Sequence, residues 1–239
     1  MIAAPEPSRP VAEPLGETTL LLRFGTRLDA AVNARVHHAA ALLRVAALRG
    51  LSDIVPAYAS LALHYDPGAW SRPSGAAWRQ FADAVGAVLE APAVAQPAPA
   101  RTVTVPVCYG GAHGPDIDIV ARHCGLSVQA VADRHAAGAY TVAMLGFAPG
   151  FPYLLGLDPA LAVPRRSDPR LRVAAGSVAI GGVQTGIYPT GLPGGWHLIG
   201  RTPLRLFEVD GDPPCPLAAG DQVRFRPITA REFEAGADR

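Results

Sequence analysis

Two domains are predicted for this chain of 239 residues: an α+β unit over residues 18–90 and a mainly-β barrel over residues 101–239. Three observations predict them. Up to Leu89, segments with strand and helix periodicity follow one another in a β-α-β-β-α order. Residues 91–100, APAVAQPAPA, are rich in Ala and Pro and have no period, which marks a linker. Beyond them, short strands separated by turn signals accompany only two brief helices, the pattern of a closed or nearly closed barrel.

The elements follow in order. The first residues, MIAAPEPSRPVAEPLGE, are broken by Pro5, Pro7, Pro10 and Pro14 and lack the apolar centre of a signal peptide, so residues 1–17 are expected to be a disordered tail. Thr18–Phe24 is β-branched and apolar, a strand. Leu28–Leu48 places Val32, Val36, Ala39, Ala40 and Leu43 on one helical face, with Asp29 as its cap and Gly50 as its stop. Two short strands, Asp53–Pro56 and Tyr58–Tyr65, precede an Asp66-Pro67-Gly68 turn. The second helix, Ser74–Leu89, aligns Trp78, Phe81, Val85 and Leu89. After the linker, TVTVPV alternates as a half-buried strand does and stops at Gly110-Gly111. Short helices at Asp116–His123 and Ser127–Ala136 each open on a capping residue. Further strands are expected at Tyr140–Leu145, Ser177–Ile180, Val183–Ile187, Trp196–Ile199, Leu204–Glu208 and Gln222–Arg226.

Composition narrows the function classes. Hydrophobic residues make up 49% and charged residues 17%, a globular balance, and a net charge of +1 gives no reason to expect nucleic acid or an anionic membrane as partner. No apolar run reaches the length of a membrane span. Cys108, Cys124 and Cys215 are odd in number and widely spaced, as free thiols in a reducing cytoplasm would be. All 21 basic residues are arginine. Without lysine the chain has no Walker A lysine, no Schiff-base lysine and no lysine to carry biotin. GxSxG, HExxH and EF-hand spacings are absent too, and the Cys and His residues do not cluster as ligands, so no metal is expected.

What remains is a recognition surface within residues 146–203. Eleven of the 25 glycines lie there, among eight prolines and five arginines. Glycine-rich turns expose backbone N–H groups and guanidinium groups offer planar paired donors, a combination suited to carboxylate or phosphate. The expected anion-binding set is Arg165, Arg166 and Arg201, with Gln184, Thr185 and Tyr188 as additional donors. Phe151, Tyr153 and Trp196 form a possible aromatic platform, and Phe151–Pro152 is a candidate cis bond. The same residues are also compatible with a loop-rich barrel whose aromatic turns plug its mouth and whose arginines are merely solvated. His135 reads as structural.

Four motifs carry a resemblance: GFAPGFPYL (146–154), PRR (164–166), AGSVAIGGVQTGIYP (175–189) and GGWHLIGRTPLRLF (194–207). With VPVCYGG (105–111) and VPAYASLALHYDP (55–67), they resemble the allophanate hydrolase subunit 1 family (carboxyltransferase domain, subdomain C/D). This family includes the B subunit of 5-oxoprolinase (PxpB) and the histidine-kinase inhibitor KipI. The resemblance implies a cyclophilin-like barrel at the C-terminal end and a smaller α+β domain before it. It further implies membership of an ATP-using complex that opens 5-oxoproline to L-glutamate. The partners it implies are one protein of the allophanate hydrolase subunit 2 family and one LamB/YcsF-like protein. The alternatives within the family are a KipI-like kinase inhibitor and a carboxyltransferase or allophanate hydrolase component of a urea-degrading system.

Overall fold

A computed structural model describes residues 9–70, 76–91 and 101–237. The chain divides into two compact units, Met1–Pro99 and Ala100–Arg239. The predicted linker at 91–100 lies, apart from Ala91, outside the described residues.

The first unit is an antiparallel sheet of β1 (Val11–Pro14), β2 (Thr19–Arg23), β3 (Leu51–Pro56) and β4 (Ser60–Tyr65) in the order β1-β2-β4-β3, with helices α1 (Ala30–Ala46) and α2 (Ala77–Glu90). Strand alternation sends Leu20, Leu22, Leu61, Leu63 and Tyr65 to one face, where they meet Val36, Ala40 and Leu43 of α1 and Phe81 and Val85 of α2. Asp29 caps α1 as expected, accepting from the N–H groups of Ala31 and Val32. Two readings change. The 1–17 segment is not wholly a tail, since Val11–Pro14 pairs with β2. Its prolines fit because β1 is an edge strand, where a missing N–H disturbs only one ladder. Helix α1 stops at Ala47 in the left-handed region (φ 45°), before Gly50, its N–H still bonded to the Leu43 carbonyl.

The second unit is a closed barrel of seven strands in the order β10-β7-β6-β13-β5-β12-β9. These are β5 (Thr102–Tyr109), β6 (Tyr140–Leu145), β7 (Pro152–Leu155), β9 (Ser177–Gly181), β10 (Gln184–Ile187), β12 (His197–Arg201) and β13 (Gln222–Pro227). Helices α3 (Ile117–Cys124) and α4 (Val128–Ala137) pack with it, α5 (Ala230–Ala237) follows it, and β8 (Arg170–Val173) pairs with β11 (Leu192–Gly194) as a separate ribbon. Inward residues Val105, Val107, Val142, Leu154, Val178, Ile180, Ile187, Ile199 and Val223 form the main core with Ile117, Val120 and Val131. The predicted strand Leu204–Glu208 does not pair: Pro203 offers no N–H, and burial of Leu206 in the core holds the segment instead. Phe151–Pro152 is not cis; the cis bond among the described residues is Asp212–Pro213. No helix among the described residues is long and apolar enough to cross a membrane.

Candidate functional site

Strand alternation sorts the predicted site residues onto two faces of the barrel wall. Phe151, Tyr153, Tyr188, Trp196 and Leu198 face outward, where they join Val173, Ala179 and Leu192 in a second hydrophobic cluster. Their rings interlock: Phe151 lies 4.8 Å from Tyr153, 5.2 Å from Tyr188 and 5.9 Å from Trp196, centroid to centroid. The glycines of this stretch make that layer possible. A Cβ on Gly181 would lie 2.4 Å from the Trp196 ring, and one on Gly194 would lie 2.2 Å from the Tyr188 hydroxyl. Gly181→Ala therefore displaces Trp196, and we expect a shift in tryptophan emission with a loss of about 1–2 kcal/mol in stability. Unchanged emission would show that the ring does not rest on this glycine.

The platform is consequently narrower than the sequence suggests. Phe151 and Trp196 are buried, their faces occupied by neighbouring rings, and only Tyr153 of the expected three is partly open. Tyr188 is buried as well, and the Trp196 backbone N–H bonds to its hydroxyl. Burial raises the phenols of both Tyr153 and Tyr188, the nearby Arg165 charge opposing it, so both are neutral hydroxyls. Gln184 is buried on the outward face of β10. Thr185 faces the other way, into the barrel: its Oγ1 donates to the Ala179 carbonyl and lies 3.0 Å from His135 Nε2. The expected trio of donors is split because neighbouring strand residues point to opposite faces.

The arginines separate as well. Arg201 lies four residues along β12 from His197, roughly 13 Å away. Its Nε donates to the Ala175 carbonyl and its guanidinium carbon sits 5.5 Å from the Phe233 ring centroid. Arg166 is tied to the fold: its N–H bonds the Gly195 carbonyl at 2.8 Å, and its guanidinium lies 3.5 Å from Asp116. Arg165 is exposed, 5.8 Å over the Trp196 ring, and has no carboxylate partner among the described residues.

Two residues that sequence reasoning did not place in the site organise it. Asp116 does not cap α3 with its side chain. Its buried carboxylate accepts from both terminal nitrogens of Arg170 at 2.8 and 2.7 Å and from the Leu198 N–H at 2.8 Å. Burial alone would raise the Asp116 carboxyl, but the Arg170 and Leu198 hydrogen bonds and the charges of Arg170 and Arg166 outweigh it and hold it below the usual range. The lopsided arginine count of this region was the available signal, since a surplus of guanidinium groups calls for a carboxylate from elsewhere in the chain. His197 is the other. Its Nε2 donates to the Pro164 carbonyl, burial lowers its pKa, and its Nδ1 is buried without a partner. Together with Ile119, Val163, Arg165, Arg166 and Asp168 it lines an open cleft of about 370 Å³.

Phe147, in the loop before β7, is unlike its neighbours. It has φ 69° and is 60% exposed, with its ring edge-on to Phe151 at 5.5 Å. A bulky side chain in that region costs about 1–3 kcal/mol.

Comparison with known proteins adds the following. The family model described as "Carboxyltransferase domain, subdomain C and D" matches residues 10–217. The chain is 42% identical to the B subunit of 5-oxoprolinase from Bacillus subtilis (strain 168) over 231 residues, covering 93% of this chain and 95% of that protein. It is 56% identical to the corresponding 5-oxoprolinase protein of Escherichia coli O157:H7 over 127 residues, 53% of this chain and 58% of that one. Among solved structures it is similar to TTHA0988, with a TM-score of 0.75 and 39% identity over 89% of this chain; it spans only 40% of the TTHA0988 chain. It also resembles Kluyveromyces lactis urea amidolyase, with a TM-score of 0.73 over 97% of this chain and 16% of that one; at 20% identity this is a likeness of fold alone.

Proposed function

The chain belongs to the family of carboxyltransferase domains, subdomain C and D, and from that membership we propose that it is the B subunit of an ATP-dependent 5-oxoprolinase. The observation that carries this reading is its 42% identity to such a protein across nearly the whole of both chains. In the proposed reaction the lactam amide bond of 5-oxoproline is opened by water to give L-glutamate, coupled to hydrolysis of ATP. The complex is completed by a LamB/YcsF-like partner and a partner of the allophanate hydrolase subunit 2 family. Burial keeps the Tyr153 and Tyr188 hydroxyls neutral on the outer face of the barrel, hydrogen-bonding groups suited to binding and orienting rather than to attack, which supports such a role for this chain.

The substrate carries a carboxylate, and Arg165 is the guanidinium placed to receive it: exposed, backed by Trp196 and not neutralised by any described acid. Arg166 and Arg170, held by Asp116, keep its loop in place, while Arg201 serves the fold elsewhere. The test is reconstitution with the two partners, measuring ATP-dependent release of glutamate from 5-oxoproline. We expect turnover by the full mixture and none when this chain is left out. Arg165→Ala should raise KM about tenfold, with full assembly and little change in unfolding temperature. Full activity without this chain would overturn the reading, and an unchanged KM would remove Arg165 from the site. Transfer of a carboxyl group, with no glutamate formed, would favour the carboxyltransferase chemistry in the family's description instead.

A further inference from the structure

We propose that His197 selects the ligand of the open cleft beside the 164–168 loop: its bare Nδ1 accepts a hydrogen bond from an N–H carried by a small carboxylate. The identity of that ligand as 5-oxoproline, with its lactam N–H, rests on the 5-oxoprolinase reading above. His197 opens β12 and is only 7% exposed. Its Nε2 lies 3.0 Å from the Pro164 carbonyl, which can only accept, so the ring proton sits on Nε2. Burial lowers the pKa of the ring, assisted by the charges of Arg166 and Arg170, and keeps a second proton off Nδ1. Nδ1 is therefore a lone-pair acceptor, and it is buried with no partner among the described residues. Buried polar atoms are nearly always paired, so this one calls for a donor from outside the chain. The cleft supplies the place. His197, the Pro164 that holds its Nε2, Arg165 and Arg166 all line one cavity of about 370 Å³, at the small end of the range for small-molecule sites. Two guanidinium groups against the single lining carboxylate of Asp168 leave it cationic. Its wall is fixed without a ligand, because Arg166 Nε donates to the Asp168 carbonyl and its guanidinium lies 3.5 Å from Asp116. An anion made of acceptors alone, such as acetate, would satisfy the arginines and leave Nδ1 unpaired. A ligand that satisfies both carries a negative charge and an N–H. In 5-oxoproline the N–H neighbours the carbon that bears the carboxylate, so one small molecule presents the two together.

The test compares 5-oxoproline with its lactone analogue, in which a ring oxygen replaces the N–H and the carboxylate is kept. Both are titrated against the full chain assembled with its two partners. The wild type should bind the lactam about tenfold or more tightly, because the lactone sets an oxygen lone pair against that of Nδ1. His197→Gln keeps a donor for the Pro164 carbonyl but has no acceptor at the δ position, so the preference should fall to about twofold or less. His197→Asn places an amide oxygen at that position and should retain most of the preference. Equal binding of lactam and lactone by the wild type would overturn the proposal, and this comparison needs no variant. A preference that survives in His197→Gln, with both ligands weakened in parallel, would make His197 a packing residue, with the same consequence. Loss of the preference in His197→Asn would also overturn it. If the wild-type complex releases no glutamate, the 5-oxoprolinase reading fails, and the same titrations decide the role of His197 separately. A lactam preference that His197→Gln abolishes would then uphold the N–H contact, and no binding of either ligand would overturn it.

Discussion

Asp116→Asn will lower the unfolding temperature of the barrel unit by roughly 5–10 °C, a loss of about 2–3 kcal/mol. The carboxylate is 3% exposed and answers three N–H donors at 2.7–2.8 Å, two from Arg170 and one from the Leu198 backbone. Removing one partner of a buried pair leaves the other charge uncompensated, which costs more than the pair contributes. Here Arg170 and Arg166 remain about a quarter exposed, so water recovers part of the loss and the effect falls below that of a fully buried pair. The same variant frees the loop that carries Arg165, so under the proposed 5-oxoprolinase function KM of the reconstituted complex should rise with it. Asp118→Asn, an exposed acid close by on the same helix, is the control and should change stability by less than about 1 kcal/mol. Thermal unfolding of both variants checks this, and equal midpoints for Asp116→Asn and wild type would show that the arginines do not depend on this carboxylate.

The second large effect is a pH dependence centred on His135. This ring is completely buried inside the barrel unit, 4.6 Å from Phe225 and hydrogen-bonded to the Tyr109 hydroxyl at 2.8 Å and to Thr185 at 3.0 Å. Because the Thr185 hydroxyl donates to the Ala179 carbonyl, it accepts from His135 Nε2–H, and Nδ1 accepts from Tyr109. Burial drives the His135 pKa down from 6.5 to about 3. Between those values the unfolded chain binds a proton that the folded chain excludes, so stability rises with pH there; it is complete above about 6.5 and declines as the pH falls towards 3. The slope approaches about 1.4 kcal/mol per pH unit, and moving from about pH 7 to about pH 4 should cost roughly 3 kcal/mol from this residue. His135→Gln, which does not titrate, should begin less stable but lose less over the same interval. Parallel pH profiles for the variant and the wild type would mean that other groups set the acid sensitivity.

Much of the scaffold was legible because its signals are local. Asp29 and Ser127 cap their helices as the sequence suggests, since a cap needs only the two or three residues that follow it. The alternation of TVTVPV and the glycine–proline punctuation beyond it point to a barrel through strand period and turn chemistry. The role of His135 was legible only as structural; its partners, Tyr109 and Thr185, lie 26 and 50 residues away along the chain.

By itself the sequence determined the barrel class, the family, the supply of arginines and the aromatic-glycine alternation between residues 146 and 203. Tertiary structure alone decided which of those groups are spent on the fold and which remain open. Asp116 reaches Arg170 across 54 positions and Leu198 across 82, because barrel closure brings the start of α3 against β12 and the 164–170 loop. The same closure turns Thr185 inward, buries Phe151 and Trp196 against their neighbours and leaves Phe147 and Arg165 exposed. Charge and ring type are written residue by residue, but a partner is selected by proximity in space, and in a closed barrel that proximity follows from the order and register of its strands.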